Sequence, residues 1–341
     1  MSGPDPAVAQ VRGAVRPALN ASDRPVLVAC SGGADSLALA AAVAFEAPRA
    51  GVPAGAVTVD HGLQPGSAER ARRTGALLRN LGLAPVHVIR VDVGTDGGPE
   101  AAARTARYDA LAATADGARI ALGHTLDDQA ETVLLGLARG SGPRSVAGMV
   151  EQRVAGDVTW WRPLLGVRRE TTRAACAAQE LPVWDDPWNT DPAYTRARLR
   201  AEVLPLLEDV LGGGVAPALA RTAAHLREDL DVLDELARAE LAALGPVDDG
   251  LPAVDAEALP AAIRRRVVRE WLRAGGVPDL QAVHLAAVDA LLSRWRGQGR
   301  VDLPGGAGVL RASGRLLLLP PASGTPVPGT QSPTSRSTTS E

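Results

Sequence analysis

The chain has 341 residues, a net charge of −3, and 46 % hydrophobic and 22 % charged residues, the balance of a soluble globular protein with room for two domains. All 36 of its Lys/Arg residues are arginines, which excludes a Walker A loop, a Schiff-base or pyridoxal-phosphate lysine and a protein-kinase site. Cys30 and Cys176 form no C-x-x-C pair, no basic-then-apolar leader opens the chain, and no apolar run approaches the roughly 18 residues that span a bilayer, so a cytoplasmic protein without membrane contact, disulfides, zinc or an iron–sulfur cluster is expected.

In chain order, residues 6–19 read as an amphipathic helix and 25–30 as a buried strand. The strand runs into Ser31-Gly32-Gly33-Ala34-Asp35-Ser36 and then a helix over 37–46. A second strand, 56–59, ends at Asp60-His61-Gly62. A helix follows over 67–81, a strand over 86–91, a helix over 99–115 with Pro99 in its first turn, a strand over 119–122 and a helix over 127–139. This alternation predicts an α/β fold with a Rossmann-like parallel sheet. Residues 140–158 are glycine-rich and read as a connection, and the first domain, extended by a Trp/Arg-rich stretch from about 150, is drawn over 1–208. A mainly helical domain over 209–321 has helices at 216–244, 263–273 and 280–295 and ends in a small β hairpin within 301–319. Residues 322–341 hold ten Ser or Thr and three Pro, the composition of a disordered tail.

A glycine pair between a buried strand and a helix makes a cradle of backbone N–H groups, and the helix N-terminus adds partial positive charge, a combination that binds phosphate. Asp35 is out of place in a purely anion-binding loop, and its carboxylate suggests a Mg²⁺ ion between it and the phosphates. After the fourth strand comes Gly123-His124-Thr125-Leu126-Asp127-Asp128-Gln129-Ala130-Glu131-Thr132. Thr125 and Asp128 can form a capping box, but that leaves His124, Asp127 and Glu131 unexplained. Asp128 and Glu131 share one helical face at the carboxyl end of a strand, where open α/β sheets bind ligands, and two carboxylates beside a His suit binding an amine or metal and moving protons.

The hexapeptide resembles the PP-loop of the N-type ATP pyrophosphatases, which cleave ATP between the α and β phosphates and adenylate a substrate oxygen. The block from His124 to Met149, with Ala138-Arg139-Gly140-Ser141-Gly142, resembles the tRNA(Ile)-lysidine synthases. So do Asp60-His61-Gly62-Leu63, Arg104 with Arg107-Tyr108, Trp161-Arg162-Pro163-Leu164-Leu165, and Trp184-Asp185-Asp186-Pro187 leading to Asn189, Asp191, Tyr194, Arg196, Arg198 and Leu204-Pro205. Two departures are Gln64, where the family often has Arg, and Ala197, where it has Asn. The resemblance implies a ligase that adenylates the wobble cytidine of the CAU-anticodon isoleucine tRNA and lets free L-lysine displace AMP. It implies that Ser31, Gly32, Gly33, Ala34, Asp35 and Ser36 bind ATP, with Asp35 near Mg²⁺ and Asp60 and His61 near the adenosine. Arg104 then contacts phosphate or the activated intermediate, and His124, Asp128 and Glu131 form the lysine-side pocket, with His124 as a proton acceptor.

For tRNA, Arg196, Arg198, Arg264, Arg265 and Arg269 are the expected contacts. Residues 264–300 carry eight Arg against three acids, a local excess suited to phosphate, and Trp184, Trp188 and Tyr194 could stack an unpaired base. Trp160 and Trp161 are expected in the core. A homodimer is one possible assembly. Other readings are a cytidine thiolase, for which paired cysteines are missing, an amidating synthetase, and a nucleotide-binding protein without turnover.

Overall fold

The computed structural model describes residues 3–94, 98–140, 142–189 and 191–321. It divides into two compact units, Met1–Arg139 with Ser145–Ala224, and Gly140–Arg144 with His225–Glu341. The division falls inside a single long helix rather than at residue 208. The expected tail over 322–341 lies outside the described residues.

The first unit opens with α1 (Pro6–Asn20), whose Val8, Val11, Val15 and Leu19 are spaced three and four apart and buried. Then follow β1 (Val26–Ala29), α2 (Ala34–Glu46), β2 (Ala54–Asp60), α3 (Ser67–Asn80), β3 (Val86–Arg90), α4 (Pro99–Thr114), β4 (Arg119–Leu122), α5 (Leu126–Arg139) and α6 (Pro143–Val146). The unit continues through β5 (Gln152–Ala155), β6 (Val158–Trp161), α7 (Arg169–Ala178), α8 (Thr195–Arg198), α9 (Leu204–Val210) and the start of α10 (Val215–Ala243). The sheet order is β3-β2-β1-β4-β6-β5. Its strands pair in parallel except β5, which runs antiparallel to β6.

The connection expected over 140–158 therefore contains a short helix and an edge strand, and the sheet is mixed. All four residues of β5 are exposed, so this strand has no apolar pattern to betray it. Trp160 and Trp161 of β6 are buried, as expected. Helix α2 is built from small apolar residues and buried almost all round, which lets α1 and α7 both pack on it.

In the second unit, β7 (Leu251–Pro252), α11 (Ala253–Ala258), α12 (Ala261–Ala274), α13 (Ala282–Ser293), β8 (Val301–Asp302), β9 (Gly308–Ala312) and β10 (Arg315–Leu319) follow the long helix. The expected hairpin is β9–β10, and two short strands extend it to a four-stranded antiparallel sheet in the order β7-β10-β9-β8. Val267, Trp271, Leu272, Leu291, Leu292 and Leu316 lie at the centre of this unit's own core.

Candidate active site

Three neighbouring parallel strands, β2, β1 and β4, end on one edge of the sheet, and each carries a motif there. After β1, Gly33 is the N-cap of α2, so Ala34, Asp35 and Ser36 form the first helical turn, where N–H groups have no intrahelical partner. Gly32 sits at φ +89, and a Cβ there would lie 2.9 Å from Thr74 Oγ1, so glycine is required twice over. The Ser36 hydroxyl points into the loop rather than out of it. It donates to the Gly33 carbonyl at 3.0 Å, accepts from the Ser31 N–H at 3.2 Å and lies 3.3 Å from Ser31 Oγ. The cradle's binding groups are thus mainly backbone, with Ser36 holding them in place.

Asp35 projects from the first turn of α2 toward α7. Thr172 donates a short hydrogen bond to it and Arg169 Nε lies 3.4 Å away. Burial pushes the Asp35 carboxyl above its ordinary range and the charge of Asp128 adds to that, while Thr172 and Arg169 act the other way.

Asp128 does two jobs. Its Oδ2 accepts from the Thr125 N–H (2.7 Å) and hydroxyl (2.9 Å), the capping arrangement expected, while Oδ1 takes Arg169 at 2.6 Å. Burial works against its ionisation, but Arg169, the Thr125 N–H, His124 and Arg200 outweigh it and hold the pKa down. Glu131 is fully buried and meets Arg169 at 3.3 Å, Arg200 at 3.0 Å and Arg196 at 3.8 Å. Asp127 instead accepts from Arg168 and from the Arg169 N–H at 2.7 Å, which ties α5 to the start of α7. One guanidinium, Arg169, therefore joins Asp35, Asp128 and Glu131.

Sequence reasoning missed Arg168, Arg169, Thr172 and Arg200 at this site. A signal was present: Arg168-Arg169 open a helix, where the dipole disfavours cations unless acids receive them. Arg200 lies in a π-helical turn, Leu199–Val203, between α8 and α9, and such turns re-aim side chains at functional sites.

His124 follows β4 with its Nδ1 buried and unpartnered among the described residues. Burial, with Arg162, Arg107 and Arg104 adding, pushes its pKa down to about 3 against the pull of Asp128. An imidazole lowered in this way is neutral at working pH. Asp60 ends β2 and is buried. Burial opposes its charge, but hydrogen bonds from Ser67 and the Gly62 N–H prevail and lower its pKa, so Asp60 shapes the turn that presents His61. Arg104 lies exposed on α4 and donates to Tyr108 Oη at 3.3 Å.

Residues 7–207 match the PP-loop domain family, and 252–317 match the family described as the TilS substrate binding domain. The chain is 57 % identical to a tRNA(Ile)-lysidine synthase of Streptomyces coelicolor over 86 % of its own length and 84 % of that protein. It is 54 % identical to one of Thermobifida fusca over 93 % of its length and 99 % of that protein. The chain belongs to the tRNA(Ile)-lysidine synthase family. A U34-tRNA thiolase of Methanococcus maripaludis, solved with its [4Fe-4S] cluster, shares the fold at TM-score 0.54 and 19 % identity, covering 65 % of this chain and 80 % of that one.

Two arginines expected on a lysidine synthase's tRNA face are instead internal. Arg264 is buried, bonded to Asp289 at 2.7 Å and to the carbonyls of Glu257 and Leu259, and Arg269 holds Asp234 at 2.9 Å. Asp234 also takes Arg144 and Arg266. Part of the cationic excess over 264–300 is thus met by acids outside that window, Asp234 and Asp302, which a count along the chain cannot see. Arg265 stays exposed while touching Asp289 at 3.3 Å. Arg198 is exposed and pairs with Glu202 one turn on, whereas Arg196 leans toward Glu131. Trp184 lies under Arg70 at 3.8 Å, and Trp188 and Tyr194 are 5.8 Å apart.

Proposed function

We propose that this chain ligates free L-lysine to the wobble cytidine of the CAU-anticodon isoleucine tRNA, consuming ATP and releasing AMP and pyrophosphate. The observation that carries it is the adjacency of the phosphate cradle, residues 31–36, and the Asp128–Glu131 carboxylates, bridged by Arg169. Curated lysidine synthases more than half identical along most of the chain point the same way. Cytidine O2 attacks the α phosphorus and pyrophosphate leaves, its charge received by the N–H groups that open α2. The lysine side-chain amine then attacks C2 of the base, gives up a proton, and AMP leaves. Asp128 and Glu131 form an anionic wall suited to an ammonium, and it already engages the Arg169 guanidinium.

Asp35 fits Mg²⁺: it gives one carboxylate beside the cradle, and its raised pKa marks a charge that a further cation would stabilise. Bound there, Mg²⁺ would neutralise charge on the departing pyrophosphate. Asp60 and His61 would border the adenosine, Arg104 the phosphate, and Arg196, Arg198 and Arg265 the tRNA. A homodimer is proposed as the assembly, to be checked by light scattering. Cys30 and Cys176 are buried against Ser36 and the Ala34 carbonyl, so the thiolase reading gains nothing from them.

The test is AMP and pyrophosphate release with and without lysine and the isoleucine tRNA, with mass spectrometry of the modified nucleoside. Product formation that needs both substrates and adds the mass of a lysyl group is expected; release indifferent to lysine would sink the reading.

A further inference from the structure

On the same sheet edge lies a group of arginines that, among the described residues, form no ion pair. Tyr108 on α4 is the hub. It accepts a hydrogen bond from Arg104 at 3.3 Å, stands 5.6 Å from the Arg107 guanidinium, lies within electrostatic reach of Arg162 just after β6, and packs on Trp160 at 4.7 Å; Arg162 itself donates to the Val150 carbonyl at 3.1 Å. His61 after β2 and His124 after β4 stand within electrostatic reach of Arg107. Strands β2, β4 and β6 run parallel, so His61, His124 and Arg162 leave the sheet on the same edge as the PP-loop.

The buried atoms Arg107 Nε, Arg162 Nε, His61 Nδ1 and His124 Nδ1 have no hydrogen-bond partner among the described residues. Buried donors are costly to leave unmatched, and buried guanidinium groups more so. No salt bridge engages Arg104, Arg107 or Arg162 among the described residues; the acids within electrostatic reach of the two histidines are Asp60, beside His61 and already met by Ser67 and the Gly62 N–H, and Asp128, beside His124. Asp128 already answers Arg169. A missing anion is the simplest completion.

We propose that Arg107 and Arg162, with His61 and His124 beside them, form a subsite for the α-carboxylate of the free amino-acid substrate. This rests on the proposed function and names how the amino acid is held. The cations and Asp128 both act on His124, so the edge offers a positive pole next to a negative one. That pairing matches the zwitterionic head of an α-amino acid. A phosphate, which bears only negative charge, would have no use for the acidic pole beside it.

Cadaverine, which is lysine without its carboxylate, tests this. Steady-state AMP release with saturating tRNA would be measured against lysine and against cadaverine for the wild type, Arg107→Met and Arg162→Met, with thermal melts to confirm folding. A charge-assisted contact of this kind is worth roughly tenfold to a hundredfold. The wild type should therefore show a KM for cadaverine higher by about that factor. Each variant should raise the KM for lysine toward the cadaverine value, leave the KM for cadaverine and for ATP in place, and keep kcat within a few-fold. If only one variant folds, it suffices.

Equal use of the two amines by the wild type would overturn the subsite. So would variants that weaken ATP, or lysine and cadaverine alike, since that result assigns the cations to phosphate. A wild type that releases AMP regardless of lysine would overturn the functional reading, and this inference with it.

Discussion

Asp35 carries its charge where burial and the neighbouring Asp128 oppose it, with Thr172 and Arg169 pulling the other way. A folded-state pKa above the unfolded one means that the ionised form costs stability, and the cost appears as pH rises through that window. Asp35→Asn is therefore expected to abolish AMP release, by roughly a thousandfold or more, while raising the melting temperature at pH 7 and not at pH 4. Loss of activity with a lowered melting point at pH 7 would count against a catalytic Asp35. His124 has the opposite linkage. Its pKa near 3 lies below that of an unfolded His, so the unfolded chain binds the extra proton between these values. Stability should fall as pH drops from about 6.5 toward 4, and His124→Asn should flatten that slope in denaturation curves taken across the range. These residues were legible as a set because their types and spacing suit one chemistry. Arg169 was not, because its acids come from α2 and α5, far away in sequence.

Among elements, the junction of β4 and α2 sets the site. A Cβ at Gly123 would come within 3.0 Å of the Asp35 carbonyl and the Ser36 nitrogen, so the strand end and the phosphate cradle fit only without a side chain there. Gly123→Ala is expected to shift the cradle and raise the KM for ATP roughly tenfold to a hundredfold, with the KM for lysine less affected; steady-state titration of both substrates decides it. Periodicity located the parallel strands and their helices because each buries an apolar face. It passed over β5, which is exposed throughout and is held as a strand by its partner β6 rather than by its own residues. It also placed the start of α2 three residues late, since Ala34-Asp35-Ser36 look like loop chemistry while the backbone is already helical.

For the whole molecule, two adjacent arginines of the second unit separate structure from binding. Arg264 is buried against Asp289 and two carbonyls, and Arg264→Met should cost about 3 kcal/mol or more, as breaking a buried pair does. Arg265 is exposed, and Arg265→Met should change stability by less than about 0.5 kcal/mol. If the second unit meets tRNA through Arg265, the KM for tRNA should rise and its salt slope fall by about one unit. Chemical denaturation and tRNA titrations at several salt concentrations read both. A stable Arg264→Met protein with weak tRNA binding would reverse the assignment.

The sequence by itself determined the alternating α/β order, the Gly-rich turn at residues 31–36 between a strand and a helix, the His124–Glu131 block and, through the absence of lysine, that every cationic side chain is an arginine or a histidine. These are local features, in which neighbours along the chain supply both the pattern and its meaning. Only the tertiary structure decided which arginines are free and which are spent. It assigned Arg169 to three carboxylates and Arg264 and Arg269 to internal acids, and among the described residues it left Arg107 and Arg162 without one. The physical reason is that a charge is defined by the partners within a few ångströms of it, and in a folded chain these come from distant segments.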